Sequence, residues 1–504
     1  MKNLSLLACM LIGLCSATIK GQTFTWGNAF PSSNETEATL QHCITGSAVY
    51  QINIRYNEKI FNKEINVNAL DIAKLNKIKN LDLSTKQPAM GMATSSNLAM
   101  FQVSGVNFIL FMDDFNTKTK ERELFYIKIN IETGTKSEPV LITKMPGRNS
   151  DYNIAESDNK QFYAVTKRYN FDKKTNEKIN AIVFDKDLKL VSEISYATPY
   201  MNRTNGAGSF YVTNVGNVFF IKLIDQAKEK PFKTLFFWDK SKQAMVETSL
   251  KFDNDYQLHE FKGHFLNDDF YLHGLYTRIG SKAVQVYGGN IPADGFYAAK
   301  FSKDGEKIYI EKSETKEIGS LLIKDFVFDG MKTWFFGDKM FTDKKAKPVT
   351  AGQSFNWEYN YTYNNNSIFF AKLDNETGKL EWFKDVPFSE EKTMNDNGRF
   401  LSYLYFIRDN QLTILYNDMQ KTMLGKRTFN DRFISIENYD DRGNKLSGNL
   451  IPDNGLEIEY ADEYRGYLKE NFDLDTSVNI FVQDGKYIVR AKSPSNEKYG
   501  YLKF

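Results

Sequence analysis

The residues of this chain best suited to chemistry are four histidines, three cysteines and many carboxylates. The most suggestive spacing is His259-Glu-Phe-Lys-Gly-His264, which looks like the zinc-binding helix of a protease. That helix needs two histidines four apart on one face. Here the spacing is five and the surrounding residues favour a strand, where an odd spacing sends side chains to opposite faces. The expectation is therefore that His42, His259, His264 and His273 are strand and loop residues satisfied by local partners. His42 and His259 fall on inner strands of different copies of the repeat described below, too far apart to share an ion.

Paired carboxylates are found at Asp113-Asp114, Asp268-Asp269 and Asp440-Asp441, all near strand ends, where aspartate is favoured by turn hydrogen bonding. A glycosidase needs two acids at a set separation across a pocket, and these doublets do not define one. The Asp253-Asn254-Asp255 run lacks the rest of a calcium loop and reads as a plain connection. The chain contains no Gly-x-Ser-x-Gly elbow, phosphate loop or dinucleotide fingerprint. No metal site and no cofactor is expected, and no catalytic residue can be named.

The other chemistry-bearing feature is aromatic. Phe355, Trp357, Tyr359, Tyr361 and Tyr363 alternate strictly, which in an extended segment puts five rings on one face. Such a stripe is either an inserted hairpin packing its rings on a neighbouring element or a contact platform for a protein or glycan. Tryptophan and tyrosine suit the second role because they combine area with a polar handle.

The elements that must position these residues are short runs rich in Phe, Tyr, Ile and Val, separated by Asp, Asn, Gly and Lys. Helical periodicity is scarce. Leu70, Ile72, Leu75, Ile78 and Leu81 fit either a helix or a strand–turn–strand unit. A recurring pair of strands around a tight polar turn begins at Phe125, Ala181, Thr234, Phe296, Ile368 and Phe433. Two further strand-like runs precede each pair. An additional copy lies near the N-terminus, and a last one at the C-terminus stops one strand short. Eight copies over residues 22–504 average about 60 residues, the size of a four-stranded blade with one generous loop. The octet 23–30 (TFTWGNAF) could supply the missing strand and close the ring. These features predict an all-β fold, a β-propeller of eight four-stranded blades with seven as the alternative, closed by pairing of the N- and C-terminal strands.

One copy carries a resemblance. Asp374, Thr377, Gly378, Lys379 and Trp382 resemble the quinoprotein-type propeller repeat, with its aspartate, Thr-Gly-Lys turn and docking tryptophan; Ile131-Glu-Thr133-Gly134 is a partial echo. The resemblance implies a propeller. It does not imply a quinone, because the adjacent cysteines typical of many quinone sites in that family are absent.

The first 21 residues have the layout of a signal peptide: Lys2, an apolar run over 4–14, then small residues, with cleavage after Ala17 or Gly21. The run is too short to span a bilayer. Removing Lys2 and Lys20 from the 65 basic residues leaves 63 against 63 acidic ones, so the mature chain is formally neutral and nucleic acid is not an expected partner. Cys43 alone remains of the cysteines and reads as a small apolar residue. A single domain over 22–504 is thus expected in the periplasm or outside the cell, with no transmembrane segment.

In a propeller the second-to-third connections open on the same face as the links between blades. They lengthen in copies five to seven, at 277–295, 339–366 and 417–432, while the third-to-fourth turns stay short. Long loops on a rigid scaffold are where function concentrates. The reading that follows is a binding or scaffold module for a protein or glycan partner at the cell envelope, using that face. The alternative is a carbohydrate-active enzyme using carboxylates at the channel mouth.

Overall fold

The structure, a computed structural model, describes residues 23–503 apart from 32–36, 46–47, 58–61, 72–76, 83–95, 149, 170–174, 202–207, 225–231, 252–255, 279–290, 316–319, 347–358, 395–401, 425–426, 453–455, 459–467, 471, 477–480, 484–485 and 494–495. Among the described residues every regular element is a strand. The strands form eight antiparallel blades, each built from sequential hairpins. Blade 1 runs Glu37–Thr45, Ala48–Asn57, Asn62–Asp71 and Lys77–Asp82. Leu70, Ile78 and Leu81 therefore lie on strands, while Ile72 and Leu75 fall outside the described residues. Blades 2 to 4 occupy residues 96–146, 151–201 and 209–249; blades 5 to 7 occupy 256–314, 320–394 and 403–452.

Blade 8 is composite. Its second and third strands, Lys486–Lys492 and Asn496–Lys503, come from the C-terminus, and its outermost strand is Thr23–Trp26. Thr23 pairs with Lys503 and Trp26 with Gly500, so the two ends of the chain are hydrogen-bonded to each other as the sequence predicts. Closing the ring leaves no blade without a neighbour on either side.

The core lies between blades, not within them. Each of the eight neighbouring pairs shares a buried apolar cluster, including Val49 and Leu70 of blade 1 against Ile488 and Tyr499 of blade 8. Central strands are covered on both faces, which explains runs such as Gly295–Phe301 that are apolar without alternation. Outermost strands such as Ala244–Ser249 are mostly exposed.

The short third-to-fourth turns of blades 2, 3, 4, 6 and 7 are folded by an aspartate or asparagine, and that of blade 5 by Ser302, whose Oγ accepts the Glu306 amide at 3.1 Å. The Asp374 carboxylate accepts the amides of Glu376 (3.0 Å) and Thr377 (2.8 Å), and Gly378 follows at φ +71°, where a Cβ would be strained. Asn130, Asp185, Asp239 and Asp440 do the same in blades 2, 3, 4 and 7. The motif's tryptophan docks on the next blade: Trp382 Nε1 donates to the Asp441 carbonyl at 2.8 Å, and its ring covers Gly443.

Candidate functional site

The long connections of blades 6 and 7 are extensions of the blades themselves. In blade 6 the second and third strands, Lys332–Ala346 and Tyr359–Asp374, remain paired out to Ala346 opposite Tyr359, and the fourth strand follows as far as Met394 opposite Thr362. In blade 7, Gln411–Leu424 and Arg427–Tyr439 stay paired to Leu424 opposite Arg427. Two regions read as loops are thus hairpins that stand up from one face of the ring. The corresponding stretch of blade 5 lies largely outside the described residues.

Of the aromatic stripe, Tyr359, Tyr361 and Tyr363 take alternate positions on the blade 6 extension, opposite Ala346, Lys344 and Thr342. Alternate positions of one strand share a face. Phe355 and Trp357 lie outside the described residues, as does the Asp253–Asp255 run.

At the foot of these hairpins the inner strands carry a polar cluster that sequence reasoning missed. Lys324, on the inner strand Ser320–Asp329 of blade 6, sends its Nζ to Ser402 Oγ and the Thr476 carbonyl, both at 3.0 Å, and to the Tyr403 carbonyl. Ser402 in turn donates to Asp338 Oδ2 at 2.7 Å. One ammonium thereby joins blades 6, 7 and 8. Burial lowers the Lys324 pKa to about 8, opposed by the carboxylates of Asp338, Asp325 and Asp475.

A Ser–Lys–Asp grouping raises the question of nucleophilic catalysis. A lysine can take a serine proton only with a free lone pair. Here three acceptors use the three N–H bonds of the ammonium, and Ser402 directs its own proton to Asp338. The geometry is that of a charged tie.

The neighbouring carboxylates are held as well. Asp325 accepts from Lys262 Nζ (2.7 Å) and Tyr405 Oη (2.6 Å), linking blades 5, 6 and 7. Burial pushes its carboxyl up, and those hydrogen bonds more than reverse this, leaving the pKa below the ordinary value. Glu260 accepts the Ile323 amide at 2.9 Å, and burial raises its pKa. Asp475 is fully buried and bonded to Arg490. This ring mouth is cross-linked by charge, and a signal was present in the sequence: Lys324-Asp325 interrupts an otherwise apolar strand.

The histidines depart from expectation. The inner strands of blades 1 and 5 do carry His42 and His259. His264 and His273, however, are not satisfied locally. They lie on adjacent strands of blade 5 with ring centres 5.9 Å apart, against Phe328 and Phe335 of blade 6, and neither ring has a hydrogen-bond partner. They meet because this part of the hairpin is in regular register, with Lys262 opposite His273 and His264 opposite Tyr271, so the two imidazoles take diagonal positions on one face. Of the acidic pairs, Asp113 is buried and bonded to Arg122 (2.6 Å), which is a structural role. No cluster of three or more metal-ligating side chains is found among the described residues.

Fold and ring mouth together define the class: an eight-bladed β-propeller closed by its own termini, with two hairpins raised on one face. No family model matches the chain, and no curated protein matches it. Among solved structures it is similar to the β-propeller domain of the Trilobed protease from Pyrococcus furiosus, at 10% identity over 87% of this chain and 100% of that one, with a TM-score of 0.36. It is also similar to Pyrococcus horikoshii acylaminoacyl peptidase (8% identity, 92% of this chain, TM-score 0.37), of which it spans 59%. A third is the WD40 domain of SCAP from fission yeast (7% identity, 96% of this chain and 98% of that one, TM-score 0.35). These likenesses concern architecture alone.

Proposed function

We propose that this protein is an exported binding or scaffold module that engages a protein or glycan partner at the cell envelope through the hairpin-bearing face of blades 5 to 7. The observation that carries this reading is the pair of extensions in blades 6 and 7, which project from a ring whose mouth is pinned by Lys324 and Asp325. A rigid base with raised arms suits recognition, since a platform held in place loses little freedom on binding. The described carboxylates at the mouth are each bound to a lysine, arginine, hydroxyl or amide, which favours binding over acid–base turnover.

The test compares the mature protein with a Trp357→Ala/Tyr361→Ala variant in two formats, a glycan array and affinity capture from envelope extracts. The expected result is a defined partner retained by the parent and lost by the variant, with the melting temperature nearly unchanged. A large fall in melting temperature with capture intact would instead assign the rings to packing. Turnover of a polysaccharide, lost on replacing Asp325 or Asp338, would overturn the binding reading.

A further inference from the structure

His264 and His273 are buried side by side with their nitrogens unused. His264 lies on the inner strand Tyr256–Leu266 of blade 5, and His273 on the next strand, Asp269–Arg278. All four ring nitrogens are buried, and none has a hydrogen-bond partner among the described residues. His273 is fully buried, and His264 is the half-buried member from whose side the pair is reached. Folded proteins rarely bury a polar atom unpaired, and one that is calls for a ligand, a water or a chemical role. The walls are rings: Phe328 and Tyr271 each pack on both imidazoles, and Phe335 packs on His273. Such surroundings suit phenylalanine equally well, so what histidine adds here is its nitrogens.

The ring centres are 5.9 Å apart. A direct N–H···N bond of about 2.9 Å, with about 1.1 Å from each nitrogen to its ring centre, would bring the centres to about 5.1 Å. Two metal–nitrogen bonds of about 2 Å, end to end between facing nitrogens, need about 6 Å. The observed spacing fits the second. Among the described residues no third histidine, cysteine or carboxylate joins the pair, and this selects the ion. Zinc in a structural site takes four ligands, and calcium and magnesium take oxygens. Cu(I) is a soft, closed-shell ion for which two imidazoles in line are a complete shell. The aromatic faces around the pair favour a cation beside them. Burial keeps both rings unprotonated at neutral pH, the form a metal requires. Lys262 is a cation near His264, and its charge is answered by Asp325 at 2.7 Å.

We propose that His264 and His273 bind one Cu(I) ion at the junction of blades 5 and 6. The inference does not rest on the reading of the hairpin face, which other residues form.

The experiment strips the mature protein of metal and titrates it without oxygen with Cu(I), in competition with a coloured Cu(I) chelator. One ion should bind per chain. Each of His264→Phe and His273→Phe should weaken binding about a hundredfold or more, while Cys43→Ser and His259→Asn bind as the parent does. Cu(I) should raise the melting temperature of the parent and of neither phenylalanine variant. X-ray absorption of the loaded parent reads the site without any substitution, and the expected result is two nitrogen neighbours and no sulfur. No ion retained against the chelator would leave the nitrogens to buried water and overturn the proposal. So would Zn(II) held as tightly as Cu(I), a third or a sulfur ligand, indifference to both phenylalanine substitutions, or binding lost in Cys43→Ser or His259→Asn.

Discussion

His264 and His273 should make the blade 5–6 interface sensitive to acid. Burial lowers the pKa of His264 to about 2, assisted by His273 and the nearby Lys262, and burial lowers that of His273 to about 3. Among the described residues the rings that pack on them are Phe328 and Phe335 of blade 6 and Tyr271 of blade 5, and none of these supplies a compensating negative charge. An unfolded histidine titrates near 6.5. The folded state therefore keeps both rings neutral where the unfolded state takes up protons, and stability present above pH 6.5 is lost as pH falls towards the folded values. Each histidine costs about 1.4 kcal/mol per pH unit in that window, so the pair removes about 4 kcal/mol between pH 7 and pH 5. That is a large share of the stability of an ordinary domain, about 5–15 kcal/mol. The assay is urea unfolding at half-unit pH steps, comparing the parent with His264→Phe/His273→Phe, whose rings suit the same aromatic surroundings. The variant should lack most of that acid loss. Parallel pH profiles for the two proteins, or the imidazole of His264 or His273 titrating near pH 6.5 in the folded parent by NMR, would refute the reasoning.

Three other outcomes follow from the packing. Lys324→Met removes the tie among blades 6, 7 and 8 and takes the ammonium donor away from the Tyr403 and Thr476 carbonyls, so urea unfolding should show a loss of about 3 kcal/mol. Trp382→Ala deletes both the bond to the Asp441 carbonyl and the ring over Gly443, with an expected cost of about 3 kcal/mol by the same measurement. Deleting residues 23–30 opens blade 8 along Asn496–Lys503, and the expected result is a lower melting temperature with concentration-dependent aggregation, read by light scattering.

The blade pattern is legible in the sequence because two local signals coincide in each copy. Central strands are covered on both faces and so appear as uninterrupted apolar runs, while turn aspartates such as Asp374 and Asp440 mark where the chain reverses. The closure is legible for the opposite reason: a missing strand at one end and a spare one at the other. Of the polar ties only one end is legible: Lys324-Asp325 interrupts an apolar strand, but Lys324 meets Thr476 across 152 residues and no local pattern records that distance. The histidine pair fails for a related reason. His264 and His273 become neighbours through the pairing of two strands, which the spacing of His259 and His264 along one strand does not record.

The two faces of the ring answer to different constraints, and this bears on where partners can bind. A third-to-fourth turn also docks its blade on the next: Gly443 sits under Trp382, and a Cβ at Gly378 would strike the Tyr309 ring of blade 5. Lengthening such a turn would disturb an interblade contact, which explains why these turns stay short. In blades 6 and 7 the second and third strands instead continue as paired extensions past the rest of the blade. Recognition on the hairpin face can therefore vary by extension. On the turn face, where turn length is tied to interblade packing, it is limited to what the clefts between blades already offer.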